Sequence, residues 1–309
     1  MTSSPMPSPP DWPTGQVGYV ALLGRPNTGK STLLNTLLEL RIAAVSAKPQ
    51  TTRRQLLGIY SDANTQLLFL DVPGVHRPKH ALDEAMSHII GRALEDADII
   101  LCMADPTRPQ GDEDSLVAEL AASAEQPVVL CVNKSDIASA EELDAAEAFY
   151  LERLGSDTPA CRVCSLRRPA LEPLLAKLLP LLPAGPFFYS GDEVTDVFER
   201  DLAVDLIREV LLEELREEVP HTMAVEIDSW KDTGKRSRVE AVLYVEHDRH
   251  KGIVLGRKGS MLRHLQKRAG ARLSALCDRP VELRFWVKVA ADWRKRSRRV
   301  QDFGYGGRK

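Results

Sequence analysis

The sequence predicts an α/β domain built on a mostly parallel, doubly wound sheet, followed by a smaller α+β module. Three observations lead there. Between Val17 and Leu182, short apolar runs alternate with segments of helical spacing, the pattern of strands and helices taken in turn. A Pro- and Gly-rich stretch then intervenes, and the order beyond it becomes α-β-β-α-α-β. Charge divides in the same region: residues 1–230 hold 19 Lys+Arg against 36 Asp+Glu, and residues 231–309 hold 22 against 8.

YVALLG (19–24), QLLFLDV (66–72), DIILCMA (98–104) and PVVLCVN (127–133) are nearly continuous apolar runs ending near Gly, Asp or Asn, as suits strands buried on both faces. Lys30–Leu40 and Leu143–Leu154 carry helical spacing between them. Pro180–Thr195 reads as the connection between domains. Asp196–Glu218 has a stripe of Phe198, Leu202, Leu206, Val210 and Leu211, which predicts a long amphipathic helix. Strands are expected at 222–230, 238–247 and 280–289, and a helix from Ser260 to Leu276. The layout expected is a disordered Pro/Ser-rich arm at 1–15, the α/β domain at 16–183, a linker at 184–195, and the α+β module with a basic C-terminal tail at 196–309.

At 309 residues the chain is long enough for two cores. No apolar run reaches the ~18 residues of a membrane span, and the N-terminus lacks the basic start and apolar stretch of a secretory signal, so a cytosolic protein is expected. Five scattered cysteines do not make a disulfide framework. Cys161 and Cys164 form a C-x-x-C pair without a second ligand pair for zinc, and read as a coincidence of spacing. The acidic and basic halves point to a polyanion partner for the C-terminal part alone.

Chemistry is concentrated in four segments. Gly24-Arg25-Pro26-Asn27-Thr28-Gly29-Lys30-Ser31 fits G-x-x-x-x-G-K-[ST], directly after a strand and opening a helix that continues with Thr32. There, backbone N–H groups turn inward on phosphate oxygens, Lys30 reaches the β- and γ-phosphates, and the Ser31 hydroxyl reaches Mg²⁺. Asn133-Lys134-Ser135-Asp136 closes a strand about a hundred residues later. The Asp136 carboxylate can accept from guanine N1–H and N2–H₂, so GTP is expected rather than ATP. Asp71-Val72-Pro73-Gly74 ends the QLLFLDV strand, where Asp71 can hold Mg²⁺ through water and the Gly74 N–H can meet the γ-phosphate. Thr51 or Thr52 lies in the connection that can close over Mg²⁺, and Thr52 is favoured. Ser165 and Leu166, after the CRVC run, can supply backbone contacts to the guanine. Val75 stands where related enzymes place a water-orienting Gln, so slow intrinsic hydrolysis is expected, with Lys30 and Thr52 in the catalytic set. His76 is a tempting substitute base, but a lone loop histidine reads as an ordinary surface residue.

In the basic part, His250–Gly259 is expected to join two helices through a G-x-x-G turn, Gly256-Arg257-Lys258-Gly259. Such a turn lets a sugar-phosphate chain approach the backbone, with an apolar shoulder of Ile253, Val254 and Leu255 for unstacked bases. This is the plan of a type II KH module, which clamps about four nucleotides. Lys251, Ile253, Gly256, Arg257, Lys258, Gly259, Arg263 and Lys267 form the expected RNA contacts, with Arg249 and Arg268 as further phosphate candidates. Arg294–Arg299 extends that surface or forms a flexible tail.

GRPNTGKSTLLN, QTTRRQ and DVPGVHRP resemble the bacterial Era GTPases, as do TDVFERDLAVDLIREVLLEEL, REEVPHTMAVEI and the G-x-x-G module. The resemblance runs from about residue 16 onward. Two departures are the arm and Ser165-Leu166-Arg167, where the family usually has Ser-Ala and a Gly-containing turn. It implies a P-loop G domain followed by a type II KH domain, GTP/GDP and Mg²⁺ as ligands, and K⁺ bound with help from Asn27. It also implies small-subunit ribosomal RNA near its 3′ end and the small ribosomal subunit as partners, a role in that subunit's maturation, and a cytosolic monomer with peripheral membrane association. Two rival expectations are an RNA-binding module in which nucleotide is only structural, and a tRNA-modification GTPase. The KH plan argues against the second.

Overall fold

A computed structural model describes residues 13–46, 48 and 50–306. The first domain runs β1 (Thr14–Leu23), α1 (Lys30–Leu38), β2 (Leu56–Ser61), β3 (Thr65–Asp71), α2 (Ala81–Asp96), β4 (Ile99–Ala104), α3 (Asp112–Ala122), β5 (Val128–Val132), α4 (Ala140–Leu154), β6 (Ala160–Arg162), α5 (Glu172–Leu178) and β7 (Ala184–Pro186). Strand order is β2-β3-β1-β4-β5-β6, with β7 beside β1. The central pairings are parallel, while β2 runs antiparallel to β3 and β7 antiparallel to β1. Every residue of β3 and β4 is buried, which is why those strands read as unbroken apolar runs. Ala21, Leu23, Leu68 and Ile100 face one core with α2, α3 and α4; Val20, Leu22, Phe69 and Leu101 face the other with α1 and α5.

The second domain runs α6 (Glu199–Glu214), β8 (Ala224–Asp232), β9 (Ser237–Val245), α7 (Asp248–Leu255), α8 (Ser260–Leu276), β10 (Val281–Val289) and α9 (Ser297–Asp302). Its sheet is β10-β9-β8, with β10 parallel and β8 antiparallel to β9. The expected α-β-β-α-α-β order is therefore present. Helix α6 serves both domains: Ile207, Val210 and Leu211 pack in the second core, and Leu202 in the first. Phe198, expected on its apolar stripe, precedes the helix and is 69% exposed.

Three expectations about the connections need correction. Thr14 and Gly15, assigned to the arm, already pair with Pro186 and Gly185; residues 1–12 of the arm lie outside the described residues. The expected linker begins as a strand, and its far end is tied down too. The Ile59 N–H donates to the Val194 carbonyl at 2.9 Å and the Thr195 hydroxyl to the Leu57 carbonyl at 2.7 Å. The described part of the basic tail, through residue 306, is folded. Trp293, Val300, Phe303 and Tyr305 pack against Leu82 and Met86 of α2. Trp293 stacks on Tyr305 at 5.7 Å between ring centroids, and its Nε1–H donates to the Thr222 carbonyl at 2.8 Å.

This aromatic cluster fastens the chain's end to α2, and Trp293 is wholly buried in it. Trp293→Ala is expected to destabilise the protein by roughly 3–5 kcal/mol, read by denaturant unfolding, and to expose Arg294–Arg299 to trypsin. An unchanged midpoint with unchanged cleavage would show that the cluster holds nothing in place.

Candidate functional site

The carboxyl ends of β1, β3, β4 and β5 meet at one edge of the sheet, where ligands of open α/β folds bind. A cleft of about 480 Å³ there is lined by Asn27, Gly29, Lys30, Ser31, Thr32, Gly74 and Lys134, with Pro26 beside them. Ala44, Val45, Ser46, Gln50, Thr51 and Thr52 close another side, and Asp105 and Arg108 a third. Sequence had not singled out Asp105, although it ends the DIILCMA run as Asp71 ends its own.

The loop between β1 and α1 is tightly braced. Gly29 sits at φ 100°, and a side chain on it would meet the Asn133 Nδ2 at 2.2 Å. That amide donates to the Thr28 carbonyl at 2.7 Å, while the Asn133 Oδ1 accepts from the Ser165 N–H and hydroxyl at 3.0 and 2.8 Å. Asn133 therefore ties three of the expected segments together. Arg25 is buried and turned away from the cleft, paired with Asp114 at 2.9 Å. Thr28 is buried, its hydroxyl donating to the Arg25 carbonyl. Val72, Pro73 and Val75 are buried as well, with the two valines in the core beneath the turn. Lys134 reaches Asp105 at 2.6 Å, Asp136 is exposed, and Leu166 is 71% exposed.

Three expected cation ligands converge. The Ser31 hydroxyl donates to the Asp71 Oδ2 at 2.6 Å, which leaves the Thr52 hydroxyl, 3.1 Å away, to donate to the Ser31 oxygen. Thr51 instead donates to the Lys48 carbonyl, so Thr52 is the threonine that faces this cluster. Asp71 is fully buried, and burial pushes its carboxyl up to about 6. Among the described residues, its Oδ1 has no hydrogen-bond partner. A buried, half-satisfied carboxylate beside two hydroxyls is a donor set suited to a hard cation such as Mg²⁺. Lys30 is 6% exposed and bonds to the Gly24 and Arg25 carbonyls at 3.1 Å each; burial pushes its amine down to about 8.

Both loops over the cleft are bonded to the second domain. Arg53, with no exposed surface, donates to the Met223 and His221 carbonyls at 3.0 and 2.6 Å. Arg54 donates to the Phe303 carbonyl at 2.7 Å and lies over the Tyr305 ring. After Gly74, His76 is not the ordinary surface residue expected. Its Nδ1 bonds to the Gly74 carbonyl at 2.9 Å, its Nε2 faces Asp83 at 3.2 Å, and the Gln50 amide is 3.1 Å off. Asp83 also meets His80 at 3.1 Å; His80 meets Arg294 at 3.2 Å, and Arg294 pairs with Glu246 at 2.8 Å. A continuous polar chain thus runs from the turn after β3 into the second domain.

The G-x-x-G turn is narrower than expected, since His250–Leu255 belongs to α7 and only Gly256–Gly259 forms the turn. Gly256 has φ 67°, and a side chain there would strike the Met261 backbone nitrogen at 2.8 Å. Arg257, Lys258, Lys267 and Ile253 are exposed, and Lys251 half-buried. Val254 is fully buried in the core, so the shoulder offered to bases is Ile253 with part of Leu255. Arg263 braces the turn by donating to the Lys258 carbonyl at 2.9 Å. Arg268 pairs with Glu213 and Glu214 of α6 and so already serves the fold, while Arg249 stands 3.7 Å from Glu218 and stays exposed. The five cysteines are buried free thiols, with Cys161 opposite Cys131 in adjacent strands.

Comparison with known proteins agrees with this geometry. Residues 19–134 match the family described as 50S ribosome-binding GTPase, and residues 218–294 match the KH domain. The GTPase Era of Rippkaea orientalis is 37% identical over 93% of this chain and 92% of its own length. That of Caldanaerobacter subterraneus subsp. tengcongensis is 38% identical over 94% and 98%. Among solved structures, an Aquifex aeolicus Era variant bound to GDP and AlF₄⁻ matches with a TM-score of 0.88 at 35% identity, covering 94% of this chain and 99% of that one. An Era complex with MgGDPNP and nucleotides 1506–1542 of 16S ribosomal RNA matches equally, at 34% identity and the same coverage.

The two histidines on Asp83 should titrate apart. The hydrogen bond to Asp83 raises His76 above its ordinary 6.5 despite burial, with help from the Gly74 carbonyl and Glu113. Burial, then the Arg294 charge, lowers His80 against the pull of Asp83. For His76 the sign is that of a raised base: the pair's stabilisation is complete below 6.5 and is lost as pH rises through the higher folded value. NMR titration should find His76 above and His80 below 6.5, and Asp83→Asn should lower His76. Two coincident titrations unaffected by Asp83→Asn would contradict the pairing.

Proposed function

The chain belongs to the Era GTPase family, and on that premise we propose that it is a GTP-driven switch that grips small-subunit ribosomal RNA near its 3′ end through its KH domain. The role that follows is assembly and maturation of the small ribosomal subunit. What carries the reading is the bonding of both cleft loops to the RNA-binding domain, through Arg53 and Arg54 on one side and the His76–Asp83–His80–Arg294 chain on the other. A change at the γ-phosphate position then biases how that domain sits. The related structure with bound 16S ribosomal RNA supports the choice of RNA.

In this reading the loop Gly24–Thr32 cradles the phosphates with its amides, and Lys30 turns from the Gly24 and Arg25 carbonyls to the β- and γ-phosphates. Ser31, Thr52 and Asp71 would hold Mg²⁺. A bound Mg²⁺ would supply positive charge against the charge that develops on the phosphates. Gly74 presents its N–H to the γ-phosphate, and Asn27 helps bind K⁺. Val75 lies in the core and offers no polar group to orient water, so intrinsic hydrolysis is slow. Asp136 reads the guanine edge, with Lys134, Ser165 and Leu166 around the base. Lys251, Ile253, Gly256, Arg257, Lys258, Gly259, Arg263 and Lys267 form the RNA face, Arg263 by holding the turn. The protein acts as a cytosolic monomer with peripheral contact at the inner face of the membrane; no described helix is long and apolar enough to cross one.

Guanine selection is tested with inosine triphosphate, which lacks the 2-amino group. The protein should prefer GTP by roughly 10–100-fold, the share of one hydrogen bond to a charged acceptor, and Asp136→Ala should erase most of that preference. Equal discrimination in the variant would move the reading group elsewhere.

The switch is tested by RNA affinity with GDPNP, GDP and no nucleotide; equal values in all three would end it. Arg257→Ala with Lys258→Ala should weaken RNA binding and lower its salt slope by about 1.4, the share of two charges on single-stranded RNA. Nucleotide affinity should not change. Crosslinking in cells that enriched transfer RNA instead of small-subunit RNA would overturn the partner.

A further inference from the structure

Arg208 lies in α6, in the domain that follows the GTPase fold, yet it reaches the nucleotide cleft. Its guanidinium is 2% exposed and donates to the Thr51 carbonyl at 2.9 Å and to the Gln50 carbonyl at 3.2 Å. One peptide further on, the Thr52 hydroxyl stands 3.1 Å from Ser31. Gln50 itself is held at φ 61°, a left-handed conformation that strains a side-chain-bearing residue and persists only where the surroundings impose it.

Two buried cations, Arg208 and Arg53, share this location with an acid, Asp205, which both attract. Arg53 lies close enough for its charge and that of Arg208 to repel, and that repulsion, after burial, helps bring the Arg53 guanidinium down to about 9. The hydrogen bonds of Arg208 go to two loop carbonyls, an arrangement that fixes a backbone in place. A planar fork suits two successive carbonyls in a way a lysine ammonium does not.

We propose that Arg208 is a positioning residue for GTP hydrolysis: α6 of the second domain completes the GTPase site by holding the Gln50–Thr51 backbone so that Thr52 faces Ser31 and Asp71. This rests on Thr52 acting as a Mg²⁺ ligand, and it makes the RNA-bearing domain a structural part of the hydrolytic site. A shift of α6 relative to the cleft then withdraws Thr52 without touching the phosphate loop.

The test is a double-mutant cycle in the full chain with Thr52→Ala, Arg208→Met and both. Arg208→Met should lower kcat by roughly tenfold or more and raise the Mg²⁺ concentration for half-maximal rate, as expected for a misplaced ligand. GDP affinity without Mg²⁺ should stay within about twofold, because the phosphate loop and Asn133 are untouched. The double variant should fall no lower than Thr52→Ala alone, the mark of two residues acting through one contact. Independently of activity, amide hydrogen exchange in nucleotide-free protein should speed up at residues 50–54 in Arg208→Met and not in Thr52→Ala. Arg208→Lys carries the same test with less risk to folding and should recover part of the rate.

Additive losses, or unchanged exchange at residues 50–54, would reduce Arg208 to a structural residue and overturn the proposal. Thr52→Ala without effect on rate or Mg²⁺ dependence would remove the Thr52 assignment and this inference with it. Thr52→Ala with an effect and Arg208→Met without one would remove this inference alone.

Discussion

A carboxylate with no access to water, Asp71 at the end of β3, sets the terms for the whole cleft. Burial alone pushes it toward the neutral acid, so its charged form needs compensation at short range. Lys30 supplies charge and Ser31 a hydroxyl, both from the first turn of α1, where the phosphate-binding loop delivers them. That leaves one oxygen over, and the cleft is shaped around it. Thr52 must then be held inward on a loop that, by itself, has no sheet or helix to fix it. The anchors come from outside the first domain: Arg208 on the carbonyls of Gln50 and Thr51, and Arg53 and Arg54 reaching the other way. The need to satisfy one buried acid thus draws the second domain into the first domain's chemistry.

The two routes between domains differ in physical kind. The Arg53 route is short and nearly dry: its guanidinium ends on backbone carbonyls and lies about 6 Å from the Trp293 and Tyr305 ring centroids. Moving it means breaking bonds in a low-dielectric setting, so it favours two discrete arrangements over gradual bending. The His76–Asp83–His80–Arg294 route is partly wet, and its two histidines can change protonation. Helix α2 lies beneath both, since Asp83 belongs to it and Leu82 and Met86 pack on the C-terminal aromatics. A shift of the turn after β3 is therefore felt first by α2 and through it by the chain's end.

Contiguity decided what could be read from the sequence. The phosphate loop, Asn133–Asp136 and Asp71–Gly74 are local segments set at strand ends by their neighbouring residues, and that placement was legible, as was α8 with its observed ends at Ser260 and Leu276. Strands β2 and β7 were not, because LLGIYS lacks clean alternation and AGP lacks a side-chain pattern altogether; their place comes from pairing with β3 and β1. Arg208, Trp293 and Asp83 were invisible for a related reason. Each owes its role to a partner far along the chain, such as Thr51 for Arg208 or Thr222 for Trp293, and a lone Arg, Trp or Asp carries no mark of such a partner. His76 was misread on the same ground: its neighbours Val75 and Arg77 give no sign of a partner, but α2 folds Asp83 against it.

The basic half shows how far net charge can mislead about a binding face. The excess of positive charge after residue 231 invites the view that its arginines face phosphate. Many do not. Arg272 joins Arg268 in pairing with acids of α6, Arg279 bridges Glu199 and Asp232, and Arg294 is held by Glu246. The pairs of Arg268, Arg272 and Arg279 with Glu213 and Glu199 fasten the basic module to the acidic helix that also carries Arg208, so part of the asymmetry is an adhesive between α6 and α8. The cations left at the G-x-x-G turn, Arg257 and Lys258, are few and exposed, beside glycines whose backbone geometry a side chain would break. A small charge count at a shaped turn favours grip on a few nucleotides over diffuse attraction to any polyanion. Since the turn's neighbouring helix α8 is pinned to α6, and α6 to the cleft through Arg208, the shape of the RNA grip and the closure over GTP are set by the same helix.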